Sequence, residues 1–300
     1  MKPMPPLEPA QDYIECRLCS APETFSTENT VHGVTTSSER EFADEEFTVW
    51  QCNNCGCIHA LEAVDLAHYY SEYGLHEDTE PDDITRFFFG RKLKWLEKAG
   101  LNKDQKVLDY GCGGGHFLQF MQEKGYSQAF GYDPFTDKYS DRNLLEQRYD
   151  MVMSSDVIEH DVDVYGHLDT LTGLTNETGA VYIETPDALA INLKNIETHR
   201  QILQQPFHRH ILPHPWIIEN MEKKGWKVEQ IARHPFFHSW IPFLNVPAMD
   251  HYWDKYGGLT VLNEGYRWSA LLSPKYWFLG LFGALLYTKD EVQLVMRRSK

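Results

Sequence analysis

The sequence predicts an α/β protein: a mostly parallel sheet with helices on both faces, a small cysteine-bearing module before it, and an aromatic-rich insertion ahead of its last strand. Three observations carry this reading. From residue 84 onward, short apolar runs alternate with stretches of helical period, and strands separated by helices need crossovers, hence parallel pairing. The first such run ends in a glycine-rich turn, and two Cys-x-x-Cys pairs stand before residue 60.

Composition bounds the rest. With 28 basic and 44 acidic residues the net charge is −16, whereas a polyanion binder needs a basic face to neutralise phosphates, so nucleic acid is not the expected partner. A hydrophobic fraction of 42% and an aromatic fraction of 13% supply a core and exclude disorder of the whole chain. The opening Met1-Lys2-Pro3-Met4-Pro5-Pro6 lacks the apolar stretch of a signal peptide. The longest apolar run, Tyr276 to Leu286, falls short of the roughly 20 residues of a membrane span. A soluble, cytoplasmic chain without a transmembrane segment is expected, and its six cysteines then point to metal or thiolate chemistry rather than disulfides.

Residues 1–12 form a proline-rich lead, and residues 13–60 carry five of the six cysteines. Cys16 and Cys19, then Cys52 and Cys55, are two knuckles separated by 32 residues. They can present four thiolates tetrahedrally, the geometry of structural zinc, and bound metal lets a zinc-ribbon-like module of small core fold. A redox pair and an iron–sulfur cluster are the alternatives. Cys57 and His59 stand close enough to replace a ligand, and Phe47-Thr48-Val49-Trp50 reads as a strand. Residues 61–83 are a linker, with a short helix over Ala63–Tyr73 and an acidic stretch, Glu77 to Asp83, placed to cap the helix that follows.

The main domain runs over residues 84–300. Ile84–Ala99 is helical, with Phe88, Phe89, Leu93 and Leu96 recurring at its period and Gly100 as the stop. Lys106–Tyr110 is a buried strand, His116–Lys124 a helix closed by Gly125, and Gln128–Asp133 a second strand. Tyr149–Asp156 and Gly179–Thr185 follow as strands, Pro215–Lys224 as a helix ended by Gly225, and Lys227–Arg233 and Glu291–Arg297 as the last strands.

The stretch from Val107 to Gly115 is the most informative. An apolar strand ends in Asp109, then glycine recurs at 111, 113 and 115, where positive φ and close approach of a ligand to the backbone are permitted. Asp133 stands 24 residues after Asp109 at the end of the next strand, where a carboxylate can accept both hydroxyls of a ribose. A dinucleotide pattern needs glycine at 116, which is His116, and the acid at 109 repels a pyrophosphate but suits a cationic nucleoside.

Asp109, Gly111, Gly113 and Gly115 resemble the first motif of the class I S-adenosylmethionine-dependent methyltransferases, whose sheet is Rossmann-like. Tyr149 to His160, Ile183 to Asp187 and Glu291 to Arg297 are similar to that family's fourth, fifth and last strands. The resemblance implies S-adenosyl-L-methionine as cofactor. The glycine loop would wrap its methionine and ribose, Asp109 would lie near the amino group, Asp133 would take the ribose hydroxyls, and Asp156 would complete the cofactor-binding set. One departure stands out: only 16 residues separate Asp133 from Asp150, so a third strand is reduced and the adenine contact is unassigned, with Phe135 as a candidate cover. A zinc module before such a domain is similar to the sugar C-methyltransferases, but their large C-terminal domain is absent from this sequence, so their substrate does not carry over.

His160, in the Glu-His pair after the fourth strand, and His210, in the loop Phe207–Pro215, are the expected catalytic residues, as general bases. His208, His210 and His214 also have the spacing of metal ligands. The insertion, residues 234–289, holds Phe236, Phe237, Trp240, Phe243, Trp253, Trp268, Tyr276, Trp277, Phe278 and Phe282. It suits a cover over an apolar or aromatic acceptor, a peripheral membrane contact through 268–287, a homo-oligomer contact, or plain extension of the core. The leading expectation is methyl transfer from S-adenosylmethionine to a small molecule. The alternative is a non-catalytic, zinc-containing interaction protein with a degenerate methyltransferase domain.

Overall fold

In a computed structural model of the chain, the described residues are 15–19, 24–37, 42–65, 68–69, 81–233, 239–256, 266–286 and 289–299. The strands are β1 (Val31–Thr36), β2 (Glu46–Gln51), β3 (Ile58–Ala60), β4 (Val107–Tyr110), β5 (Ala129–Tyr132), β6 (Tyr149–Ser155), β7 (Thr175–Pro186), β8 (His210–Ile211), β9 (Trp226–Arg233) and β10 (Glu291–Arg298). The main helices are α1 (Asp83–Lys98), α2 (His116–Glu123), α3 (Val164–Leu174), α4 (His214–Lys223), α5 (Val246–Tyr256) and α6 (Pro274–Phe282).

Six strands form the main sheet in the order β5-β4-β6-β7-β10-β9. Pairing is parallel from β5 through β7, and β10 runs antiparallel to both β7 and β9. Alternation along the strands builds two cores. Val152, Val181, Ile183, Val292 and Leu294 pack with Leu168 and Leu171 of α3 and with Ile217 and Met221 of α4. Met151, Met153, Ala180, Tyr182 and Val295 pack with Leu93 and Leu96 of α1 and with Phe117 and Met121 of α2. Burial on both faces is why these strands read as continuous apolar runs. The reduced third strand is found as expected: Asp133 to Tyr149 holds only two 3-10 turns, Asp137–Tyr139 and Arg142–Glu146.

The sequence reading did not assign α3. Val164-Tyr-Gly-His-Leu-Asp-Thr-Leu-Thr-Gly-Leu174 carries two glycines and two threonines, which weakens helix propensity, and packing restores it. Val164, Leu168, Leu171 and Leu174 are buried at helical spacing, and Asp163 caps the first turn by accepting from Gly166 N at 2.9 Å. Asp82, within the acidic stretch, caps α1 by accepting from Thr85 N at 2.7 Å. The helix expected over Ala63–Tyr73 lies mostly outside the described residues.

A second, antiparallel sheet has the order β1-β2-β3-β8. Its last strand comes from far along the chain, pairing Ile58 with Ile211 and His59 with His210. Cys16, Leu18, Trp50, Cys52 and Cys57 belong to the same buried cluster as Leu212, Trp216 and Ile217. The carbonyl of Leu18, between the first two cysteines, accepts from Trp216 Nε1 at 2.6 Å and from Tyr165 Oη at 3.0 Å. Within the insertion, α5, α6 and the turn Trp268–Leu272 share a cluster of Ala248, Tyr252, Ala270 and Tyr276. Trp240, Trp268, Trp277, Phe278 and Phe282 are exposed, whereas Phe236, Phe237 and the Trp253 side chain lie outside the description. Among the described residues no helix is long and apolar enough to cross a membrane.

Candidate active site and cysteine centre

The glycine loop leaves β4 at the carboxyl edge of the sheet, where ligands of open α/β folds bind. Gly111, Gly113 and Gly115 all have positive φ, of 81°, 52° and 76°. Their surroundings differ. A Cβ on Gly111 would collide with Val157, and one on Gly115 with the Tyr139 hydroxyl, but one on Gly113 would meet nothing within 4 Å. The loop therefore packs at its two ends and opens at its centre. Asp133 ties it to the next strand: Oδ2 accepts from Gly113 N at 2.9 Å and Oδ1 from Phe135 N at 2.8 Å. Phe135 beside it is exposed. Tyr139, from the shortened segment, reaches back over the loop, where its hydroxyl accepts from Gln119 Nε2 at 3.3 Å. No sequence signal marked Tyr139, because its partners come from α2 and the loop rather than from its own neighbourhood.

Beneath the loop lies a layer of charge. Lys92 of α1 is buried; its Nζ donates to Ser155 Oγ at 2.7 Å and pairs with Glu184. Glu184 also accepts from Gln293 Nε2 at 2.6 Å, and Lys92 holds its carboxyl below the usual range despite burial. Asp109 is buried beside this pair, and desolvation outweighs the attraction of Lys92, pushing its carboxyl up to about 6. Asp156 follows β6 with φ 53°, a left-handed conformation unusual for a residue with a side chain. It is solvent-accessible, although neighbouring protein partly desolvates its carboxyl. Burial, then Glu184, push its carboxyl up to about 7 against the pull of Lys92. An open glycine held by Asp133, with the carboxyls of Asp109 and Asp156 near Lys92, fits a cationic nucleoside.

Glu159 and His160 lie on the loop after β6. Glu159 is fully buried, and its Oε2 accepts from Thr185 Oγ1 at 2.9 Å. Burial raises its carboxyl well above the usual range. Its main-chain carbonyl accepts from Arg209 N at 2.8 Å and His210 N at 3.1 Å, binding the second histidine-bearing loop to the first. Of the three histidines there, the structure brings His208 to His160, with ring centroids 4.7 Å apart and planes at 85°. Burial, reinforced by His160, pushes the His208 imidazole well below its usual value.

His210 does not join them. It sits in β8 opposite His59, and the two Nδ1 atoms share a hydrogen bond of 3.0 Å. His214 turns elsewhere again, its Nδ1 donating to Asp187 Oδ2 at 2.8 Å. The spacing of 208, 210 and 214 therefore does not converge: His208 lies ahead of β8, His210 within it and His214 at the start of α4, so each ring meets different neighbours.

The four cysteines Cys16, Cys19, Cys52 and Cys55 do converge, with all sulfurs within 4.8 Å of one another. Cys16 Sγ lies 3.5 Å from Cys55 Sγ, and Cys19 Sγ lies 3.8 and 3.9 Å from those of Cys16 and Cys52. Four thiolates on a tetrahedral ion with bonds of about 2.3 Å stand roughly 3.8 Å apart, so this donor set fits zinc. Cys57 is buried outside the quartet, and His59 Nε2 meets Cys16 Sγ at 3.2 Å. Burial raises the Cys112 thiol, as befits a filler beside Gly131 rather than a nucleophile.

A family described as "Methyltransferase domain" matches residues 82–257. No curated protein matches the chain. Among solved structures, it is similar to a mycolic acid cyclopropane synthase complexed with SAH and CTAB, at 17% identity over 69% of this chain and 83% of that one, with a TM-score of 0.43. It is also similar to an S-adenosylmethionine dependent methyltransferase from Mesorhizobium loti, at 15% identity over 70% and 100% of the two chains and a TM-score of 0.42. A third likeness is to a SAM dependent methyltransferase from Archaeoglobus fulgidus, at 15% identity over 78% and 100%, with a TM-score of 0.45.

Proposed function

The chain belongs to the methyltransferase-domain family, and from that premise we propose that it holds S-adenosylmethionine on the loop Asp109–Gly115 and methylates a small molecule that docks beside His160. The observation that carries the reading is the open space at Gly113, whose amide is held by the Asp133 carboxylate. Bound there, the cofactor supplies an electrophilic methyl on a sulfonium. The chain aligns and desolvates: Asp109 and Asp156, whose carboxyls desolvation raises, gain a cationic partner, and Asp133 offers oxygens to the ribose. Tyr139, beside Gly115, is assigned to the adenosine end that the shortened segment leaves bare. His160, half-buried on the loop after Asp156, is assigned to the acceptor's reacting atom; His210 is not, since its ring is engaged with His59.

Calorimetry with S-adenosylhomocysteine tests this reading. One site per chain is expected, weakened at least tenfold in Gly113→Val, and absence of binding by the metal-replete protein would sink it. Binding without turnover on a broad acceptor panel would favour the non-catalytic alternative. Structural zinc at Cys16, Cys19, Cys52 and Cys55 is part of the proposal, supported by the sulfur spacings.

The apolar or aromatic character of the acceptor rests on the insertion, as does a peripheral contact through 268–287. On α6, Trp277, Phe278, Leu281 and Phe282 present one apolar outer face. Residues 266–289 carry Arg267, Lys275 and Lys289 and no acid, in a chain of net charge −16, which favours an anionic membrane surface over a second copy of the chain. Sedimentation with phosphatidylglycerol vesicles should carry the protein down, with Trp277→Ser/Phe278→Ser left in solution. A dimer in ultracentrifugation without vesicle binding would assign the face to self-association instead.

A further inference from the structure

Three side chains at the exit of β6 form a second cluster of donors, apart from the cysteines. Glu159 has two carboxylate oxygens in different situations: Oε2 is satisfied by Thr185, whereas Oε1 is buried and has no hydrogen-bond partner. Such an orphan is destabilising unless something meets it. His208 Nε2 stands 3.9 Å from Oε1, too far for a hydrogen bond. On its other side the His208 ring meets the carbonyl of Ile202 at 2.9 Å. A carbonyl only accepts, so Nδ1 carries the proton and Nε2 turns a lone pair towards Glu159. His160 completes the group, and one donor atom from each of Glu159, His160 and His208 lies within 4.8 Å of the other two.

We propose that Glu159, His160 and His208 form a binding site for a divalent transition-metal ion of the Zn2+, Co2+, Mn2+ or Fe2+ class, distinct from the four-cysteine centre. Two imidazoles and one carboxylate make a donor set of intermediate softness that suits these ions, and three protein ligands leave coordination positions open. Ion–donor bonds of about 2.0–2.2 Å require the Glu159–His208 pair to close by only a few tenths of an ångström. The supporting shell is in place. Ile202 fixes the tautomer of His208, Thr185 holds the second oxygen of Glu159, and the amides of Arg209 and His210 lock the two loops together through the Glu159 carbonyl. Binding at this site stands on its own geometry. Its consequence, selection of acceptors that offer an oxygen donor to the open positions, rests on the methyl-transfer reading, and in the loaded protein His160 then acts as a ligand.

The experiment is metal content of the full chain after equilibration with excess Zn2+ and gel filtration, repeated as a Mn2+ titration followed by electron paramagnetic resonance. Two zinc equivalents and one manganese site are expected for the wild type. Glu159→Gln and His208→Gln should retain one zinc and bind Mn2+ at least tenfold more weakly. His160→Ala, at a half-buried position, repeats the test with less risk to folding, and circular dichroism verifies each variant. A wild type with one zinc equivalent and no Mn2+ site, or variants that keep the second equivalent, would overturn the proposal. Calorimetry with S-adenosylhomocysteine on the same samples reads the methyltransferase assignment separately, so failure of one is not failure of the other.

Discussion

Asp109 and Asp156 make the pH dependence specific. Both carboxyls lie above the ordinary aspartate range, at about 6 and about 7, because burial outweighs Lys92. The sign follows. At pH 5 both are largely neutral; as pH rises towards 8 they ionise, and a cation gains attraction. S-adenosylmethionine should therefore bind more tightly at pH 8 than at 5.5, and Asp156→Asn should flatten the upper part of that rise in titrations across the window. A profile already level above pH 5 would contradict these environments. The ligand-free fold behaves oppositely: raised folded values favour the protonated forms, so stability falls as pH rises through 6 and 7. A different residue carries a structural prediction. Trp216→Phe leaves the Leu18 carbonyl with Tyr165 as its remaining donor, so the loss should be only about 1 kcal/mol by denaturant unfolding.

At the scale of elements, the three glycines of one loop should separate by experiment. Gly113→Ala meets no neighbour, so its stability loss should be that of the left-handed backbone alone, roughly 1 kcal/mol, while cofactor affinity falls. Gly111→Ala and Gly115→Ala press on Val157 and Tyr139 and should unfold several degrees lower. Equal melting temperatures for all three would refute the distinction. The loop was legible because local sequence dictates it: an acid after an apolar strand and glycine at each position of positive φ. The loop of His208, His210 and His214 was not legible in this way. Its spacing showed three similar residues, but the Ile202 carbonyl, His59 and Asp187 select their orientations, and the partners of His210 and His214 lie 151 and 27 residues away. Helix α3 escaped notice for a related reason, since Leu168 and Leu171 become a helical face only once β6 and β7 exist to cover it.

Over the whole molecule, the cysteine module and the main sheet share one buried cluster, joined by the hydrogen bonds at Leu18 and the pairing of β3 with β8. Cys16→Ser/Cys19→Ser should therefore lower the melting temperature of the entire chain in one transition. A calorimetric scan with two transitions, the upper unchanged, would show that the halves fold independently. The strand β8 also sets a schedule. His59 waits for His210, 151 positions later, before the outer edge of β3 is paired. At roughly 5–20 residues per second of synthesis, that interval lasts on the order of 10–30 seconds. During it the nascent chain carries an open strand edge and incompletely packed thiols. Chains stalled before residue 210 should be alkylated at Cys16 and Cys57 faster than chains released after it, which makes the moment of β8 emergence the point at which the cysteines pass from chemical exposure to shelter.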